Sequence, residues 1–284
     1  MIVMAVVLVL VFLHLSFMSV LTDKYLEYFS TPWSRLGFNA TPIFLNSTEV
    51  LCLDTRLSTG LSSAAYLPRI IHQTYKSNDL PENFRTWRDE CKMLNPCWEF
   101  KLWTDDDNLN LVKTFYPELL PLYEGYDVAI KRIDAVRYMM LHKYGGVYMD
   151  MDMTCLRSFN ESTFREPNTF YAARQHRHAE TDQEQRVANA FMASTPRHPL
   201  LSKILNGLHR TKDLHVVMAT GPGFLTRMID DEGQNDTIVE FPIEAFFSVS
   251  YDEKAEINIC AANRSACKDK YPGYLFSFWT HTWK

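Results

Sequence analysis

From residue 67 onward the hydrophobic positions switch repeatedly between strand spacing and helix spacing. Residues 68–75 form an apolar run ending in polar and aromatic side chains, which predicts a strand. Residues 81–94 open on Pro81 and place Phe84, Trp87, Cys91 and Leu94 at helical intervals, which predicts a helix. A second strand is expected over 98–103. Thr104 or Asp105 then caps a helix through about Phe115, and Asp105, Asp106 and Asp107 suit its first turn, where the helix dipole favours acids.

The best helical pattern runs from 127 to 144. Set at about 100° per residue, Ile130, Ile133, Val136, Met140, Leu141 and Tyr144 share one stripe. Lys131, Arg132, Tyr138, His142 and Lys143 fall opposite. Arg137 lies inside the apolar stripe with Asp134 three residues away, so the two are neighbours. Charges placed there are costly unless paired or used. Either a structural salt bridge or a polar grip on a ligand satisfies this.

Gly145 suits the left-handed residue that ends the helix. An apolar run then leads into Asp150-Met151-Asp152. In an extended chain Tyr148, Asp150 and Asp152 point to one side, while Val147, Met149, Met151 and Met153 point to the other. Two carboxylates on one face repel unless a cation sits between them. Hard cations such as Mn2+ or Mg2+ take oxygen ligands and keep positions open for phosphate oxygens. The Asp-x-Asp segment is therefore a candidate metal site for a phosphorylated substrate.

Beyond it, 169–173 and 187–194 read as strands and 198–210 as a helix. Residues 174–186 lack periodicity and read as a loop. Thr220-Gly221-Pro222-Gly223 opens a helix to about Ile229, whose N-terminus can accept an anion or a hydroxyl. Residues 237–241 and 274–278 complete the strands. Alternating strands and helices imply a three-layer α/β body, with ligands beyond the carboxyl ends of the strands.

The 284 residues allow one domain plus appendages, and a hydrophobic fraction of 46% argues against long disorder. A net charge of −5 with no basic block argues against a nucleic-acid partner. Residues 1–21 are apolar except His14, Ser16 and Ser19, long enough for a membrane anchor. A stem is expected over 22–66 and a catalytic body over 67–284. Asn-x-Ser/Thr acceptors at Asn39, Asn46, Asn160, Asn235 and Asn263, with six cysteines, fit a lumenal, oxidising compartment. Cys91/Cys97 and Cys260/Cys267 are close enough in sequence to pair. The expectation is a single-pass type II protein of the Golgi or ER membrane, its body in the lumen.

The ordered motifs Ile70-Ile71-His72-Gln73-Thr74-Tyr75, Leu102-Trp103-Thr104-Asp105, Arg132-x-Asp134-x-x-Arg137-Tyr138 and Tyr144-Gly145-Gly146-Val147-Tyr148-x-Asp150-x-Asp152 resemble glycosyltransferase family 32. That group includes initiating α-1,6-mannosyltransferases and inositol phosphorylceramide mannosyltransferases. The resemblance implies a GT-A type nucleotide-diphospho-sugar transferase fold, retention of anomeric configuration and a Mn2+-dependent site. It implies that Asp152 ligates the metal and that Asp150 acts on the ribose or through water. Asp134 and Arg137 would hold hydroxyls of the donor sugar, and Tyr75 would stack on the base. His72, Tyr148, Asn189, Thr220 and Gly221 fall in the matching motifs and are expected along the donor. In the tail, His281 would be a further metal ligand and Trp283 would close over the diphosphate.

The expected reaction is hexose transfer, foremost mannose from GDP-mannose, to a glycan or glycolipid. Galactosyl transfer from UDP-galactose stays open, as does a sugar-nucleotide-binding protein without turnover.

Overall fold

The computed structural model describes Cys52 and residues 66–159, 163–175 and 186–280, all within the compact unit Thr48–Lys284. In chain order the elements are β1 (Ile70–Thr74), α1 (Glu82–Leu94), β2 (Glu99–Trp103), α2 (Asp105–Phe115), a 3-10 turn (Pro117–Leu119), α3 (Leu120–Glu124), α4 (Ala129–Tyr144), β3 (Gly146–Met149), β4 (Met153–Cys155), β5 (Phe170–Arg174) and β6 (Val187–Ser194). They continue with α5 (Pro199–Thr211), α6 (Val216–Ala219), α7 (Pro222–Asp230), β7 (Ile238–Phe241), α8 (Ile243–Phe246), α9 (Lys254–Ala262), α10 (Arg264–Lys270) and β8 (Leu275–Ser277). The expected strands and long helices are present. The short helices α3, α6 and α8 and the pair α9–α10 are additions, since pieces this brief carry little periodic signal.

Six strands form a mixed sheet in the order β2-β1-β3-β6-β5-β7. β1 is parallel to β2 and β3, β6 runs antiparallel to β3 and β5, and β7 is parallel to β5. The two faces separate cleanly by alternation. Tyr148, Phe170, Ala172 and Met192 join the core beneath α2, α4, α5 and α7. Ile71, Val147, Met149, Tyr171, Phe191 and Ala193 join the core on the opposite face. This is the expected three-layer arrangement.

Local chemistry accounts for the element ends. Thr104 accepts from the Asp107 amide while Asp107 accepts from the Thr104 amide, a reciprocal cap that starts α2. Gly145 ends α4 at φ 65°, its amide donating to Leu141 O at 2.8 Å. Gly146 follows at φ 92°, and a Cβ there would sit on the Ile70 carbonyl oxygen. Glycine thus lets β3 lie close against β1 immediately after the helix.

Three sequence expectations are corrected. The extended run stops at Met149; residues 150–152 turn, and β4 starts a small sheet with β8. Met151 consequently leaves the cluster of Val147 and Met149 and packs with Phe84, Trp87 and Phe278. The supposed polar face of α4 is covered in part, while Arg132, His142 and Lys143 stay partly exposed. Tyr138 is fully buried and donates to Thr220 O at 2.8 Å, and Lys131 is 2% exposed, because α4 is enclosed between the sheet, α2 and α5.

The third correction concerns the cysteines. Cys91 pairs with Cys155 and Cys52 with Cys97; only Cys260–Cys267 matches the short-range expectation. Cys91 faces inward from α1, whereas Cys97 is half-buried in the turn before β2. Among the described residues no helix is long and apolar enough to cross a membrane. The expected anchor 1–21 lies outside the described residues, as does the stem 22–66 except Cys52 and Tyr66.

Candidate active site

After β1 the chain moves outward to β2, then returns past β1 to β3. This reversal opens a crevice at the carboxyl ends of β1 and β3, the place where open α/β sheets bind ligands. A cleft of about 1090 Å³ occupies it. Tyr75 enters from the end of β1, Asp150 and Asp152 from the turn after β3, and Asp134 and Arg137 from α4. The helices are oriented by burial of their apolar stripes, so the two charges embedded in the α4 stripe are carried to the cleft floor.

Arg137 is the hub of that floor. One terminal nitrogen donates to Asn189 O at 2.7 Å and lies 3.4 Å from Asp150 Oδ1; the other lies 3.2 Å from Asp134 Oδ1. Its guanidinium carbon is 4.6 Å from the centre of the Tyr148 ring. Burial works against its charge, but the Asp150 and Asp134 carboxylates outweigh it and hold the guanidinium more firmly protonated than usual. Asp134 is just as enclosed. It accepts from Asn189 Nδ2 at 2.9 Å and Thr220 Oγ1 at 3.1 Å. Burial pushes its carboxyl up to about 6 against the pull of Arg137. Every partner around Asp134 is a donor, as an ionised carboxylate requires.

Asp150 Oδ1 also accepts the Tyr148 hydroxyl at 2.9 Å, and that hydroxyl lies 3.1 Å from Thr74 Oγ1. Asp152 Oδ2 accepts from the Thr280 amide at 2.8 Å and its hydroxyl at 3.1 Å, while the Asp152 carbonyl accepts from Phe278 N at 2.8 Å. Burial, and then the Asp150 charge, push the Asp152 carboxyl up to about 6. Oδ2 of Asp150 and Oδ1 of Asp152 take no hydrogen bond from another described residue. Two hard oxygen donors whose charges repel each other fit a divalent cation that fills its remaining positions with water or phosphate oxygens. Among the described residues no group of three or more His, Cys, Asp or Glu is placed to hold a metal ion. His281 and Trp283 lie outside the described residues.

Asp134, Arg137, Asp150, Asp152, Tyr75, Asn189 and Gly221 all line the cleft. Thr220 and Tyr148 do not: both are fully buried and act on their neighbours, Thr220 on Asp134 and Tyr148 on Asp150. His72 is also corrected. Its Nε2 donates to Gly145 O at 2.9 Å, its Nδ1 accepts from Trp103 Nε1 at 3.1 Å, and it is fully buried. Both ring nitrogens are consumed in joining β1, β2 and the α4–β3 turn, so none is left for a ligand. Sequence reasoning missed Thr280, since nothing in a tail threonine signals contact with an aspartate 128 residues earlier. It also missed Gln175 and Arg186, which border the cleft at the two ends of the aperiodic loop.

The His72 contacts require a neutral ring, and burial lowers its pKa to about 4 from the usual 6.5. Between those values the unfolded chain binds a proton that the folded chain refuses, so His72 favours folding above pH 6.5 and loses that contribution as pH falls toward 4. The loss amounts to about 3 kcal/mol. Asp134 and Asp152, raised to about 6, act oppositely: their cost disappears as pH falls below 6 toward 3.8. Comparing wild type with His72→Gln cancels the carboxylates. The stability difference between the two is expected to shrink by about 3 kcal/mol from pH 7 to 4 in denaturant titrations. A pH-independent difference contradicts the neutral, buried ring.

Comparison with known families bears on this geometry. Residues 81–169, from α1 past the Asp-x-Asp turn, match the family described as "Glycosyltransferase sugar-binding region containing DXD motif". Residues 129–210 match "Capsular polysaccharide synthesis protein". Asp150-Met151-Asp152 lies within the first of these matches, in line with the resemblance drawn from the motifs. It is similar to "Inositol phosphoceramide mannosyltransferase 3" of Schizosaccharomyces pombe, 34% identical over 192 residues, covering 64% of this chain and 51% of that protein. It is also similar to "Mannosyl phosphorylinositol ceramide synthase SUR1" of Saccharomyces cerevisiae, 37% identical over 166 residues, covering 56% and 41%. The chain spans about half the length of these relatives or less. Among solved structures, "PaToxG Glycosyltransferase" overlays with a TM-score of 0.46 at 15% identity, covering 66% of this chain and 78% of that one. That likeness is too distant to add to what the sheet itself shows.

Proposed function

We propose that the protein is a metal-dependent, retaining mannosyltransferase of GT-A type that moves mannose from GDP-mannose onto a glycolipid bearing an inositol phosphate. The observation carrying this reading is the network in which buried Asp134 and Arg137 meet the partly exposed Asp150, with Asp152 beside it, all lining one cleft. Burying Asp134 and Arg137 is costly for a body that only needs to fold. The relatives' names supply the sugar and the class of acceptor. All six cysteines are paired, which supports a lumenal setting in the Golgi or ER. Residues 1–21 serve as the anchor in this reading.

Each part has a task. Tyr75 lies against the base of the donor. Asp134 and Arg137, fixed by Asn189 and Thr220, take hydroxyls of the mannose. Asp152 and Asp150 would hold a Mn2+ or Mg2+ ion, which when bound would supply positive charge to the leaving diphosphate. The chain positions the acceptor hydroxyl on the face from which the diphosphate departs, and retention follows from that geometry.

A thermal-shift and transfer experiment tests the reading. With Mn2+ and GDP-mannose at about 100 times Kd, a gain of about 2.7 kcal/mol is expected, which raises Tm by roughly 5–10 °C for a domain of this size. A chelator is expected to abolish the shift. A shift with UDP-galactose and none with GDP-mannose overturns the donor assignment.

A further inference from the structure

β8 runs antiparallel to β4, with Cys155 opposite Leu275 and Met153 opposite Ser277. One step further along, Phe278 N donates to Asp152 O at 2.8 Å. Had the ladder continued in this register, Trp279 would stand opposite Met151 and Thr280 opposite Asp150. It stops instead at Trp279, which sits at φ 50°, a left-handed conformation that is unfavourable for a bulky side chain. The kink turns the chain back, and Thr280 meets the side chain of Asp152. Its amide donates to Asp152 Oδ2 at 2.8 Å and its hydroxyl to the same oxygen at 3.1 Å.

Neighbouring side chains hold the kink in place. The Trp279 indole donates to Val249 O at 2.9 Å, and its ring centre lies 5.7 Å from that of Phe247. Just before it, Phe278 stacks on Trp87 at 4.0 Å, and the Arg264 guanidinium carbon lies 4.3 Å from the Phe278 ring centre. Strain that the surroundings maintain in this way points to a use for the conformation. What it delivers here is two donors on one oxygen of Asp152. Asp150 is treated alike, since the Tyr148 hydroxyl donates to its Oδ1 at 2.9 Å. Each carboxylate thus has one oxygen tied back into the protein. The second oxygen of each takes no hydrogen bond from another described residue.

We infer that Thr280 is the positioning residue of Asp152: brought back by the Trp279 kink, it occupies Oδ2 and leaves Oδ1 as the one oxygen offered to a metal ion. This rests on the metal site proposed above and deepens it. A carboxylate free to rotate alternates between one-oxygen and two-oxygen contacts with a cation. Two donors on Oδ2 remove that freedom before the ion arrives, as hydrogen-bond partners of metal ligands do elsewhere.

The Mn2+ affinity of the full-length protein tests this without turnover, read from the electron paramagnetic resonance signal of the free ion. Thr280→Val removes the hydroxyl but keeps the amide and the side-chain shape. It is expected to weaken Mn2+ binding about tenfold or more, the usual effect of taking a hydrogen-bond partner from a metal ligand. Thr280→Ala, which sets no extra methyl against the carboxylate, is expected to weaken binding equally. Thr280→Ser keeps the hydroxyl and is expected to bind Mn2+ as wild type does. Asp152→Asn serves as the reference for loss of the ligand itself. Wild-type affinity in Thr280→Val and Thr280→Ala, with Asp152→Asn impaired, overturns the inference and leaves the metal site standing. Equal weakening in Thr280→Ser and Thr280→Val also overturns it, because packing and not the hydroxyl is then responsible. Wild type and Asp152→Asn binding Mn2+ alike, or neither binding it, removes the metal site and the inference with it.

Discussion

Asp152→Asn is expected to lower transfer about 10²–10³-fold or more while raising the melting temperature of the ligand-free protein. The two effects run in opposite directions for one reason. Burial and the neighbouring Asp150 charge hold the Asp152 carboxyl up at about 6 instead of near 3.8. Such a carboxylate favours folding below pH 3.8 and costs stability once pH rises through about 6. Asparagine removes the charge and keeps an oxygen that accepts from the Thr280 amide and hydroxyl. At pH 7 the gain is about 1–3 kcal/mol, the lower end allowing for partial exposure. Scanning calorimetry in chelator reads the stability, and isothermal titration with Mn2+ and nucleotide reads the binding. A lower melting temperature with binding retained contradicts both the metal assignment and the electrostatic account.

Arg137→Leu acts in the other sense. The guanidinium is 3% exposed and joins Asp134, Asp150 and the Asn189 carbonyl. Without it Asp134 stays buried, with only neutral donors to offset its charge. Breaking a buried pair from one side costs about 3–5 kcal/mol, a fall in Tm on the order of 10 °C for a domain of this size. Adding Asp134→Asn is expected to recover a good part of that loss, because the stranded charge disappears with it. Arg137→Lys keeps the charge but offers no fork to span three partners, so its cost falls between wild type and Arg137→Leu. A double-mutant cycle with no coupling between positions 134 and 137 removes the hub from the account.

These effects show how much of the site was legible beforehand. Asp134 and Arg137 stood out because helical spacing placed charges in an apolar stripe. The salt bridge and the ligand grip were offered as alternatives, yet Arg137 bonds Asp134 and lines the cleft at once. A motif position says nothing of depth: His72 precedes Tyr75 by three residues, but its ring is fully buried beside Trp103 and Tyr144. Tyr148 was placed on the correct side of β3, and its hydroxyl nevertheless ends on Asp150. The pairing of Cys91 with Cys155 was illegible for a related reason, since sequence proximity favoured Cys97 while the packing of α1 chose β4.

By itself the sequence determined what depends on neighbours along the chain. Strand alternation, the apolar stripes of the helices, the Thr104 cap and the Gly145–Gly146 turn all follow from periods of two and about 3.6 and from residue-level sterics. The carboxylate pair at 150 and 152 and the charges at 134 and 137 were visible on the same terms. Only the tertiary structure decided which of these groups meet. Thr220 reaches Asp134 across 86 residues and Thr280 reaches Asp152 across 128, because sheet order and the β4–β8 pairing bring those segments together. Local spacing carries no information about such contacts; they are selected by the burial of apolar surface over the whole domain, and the electrostatics of the site follow from that burial.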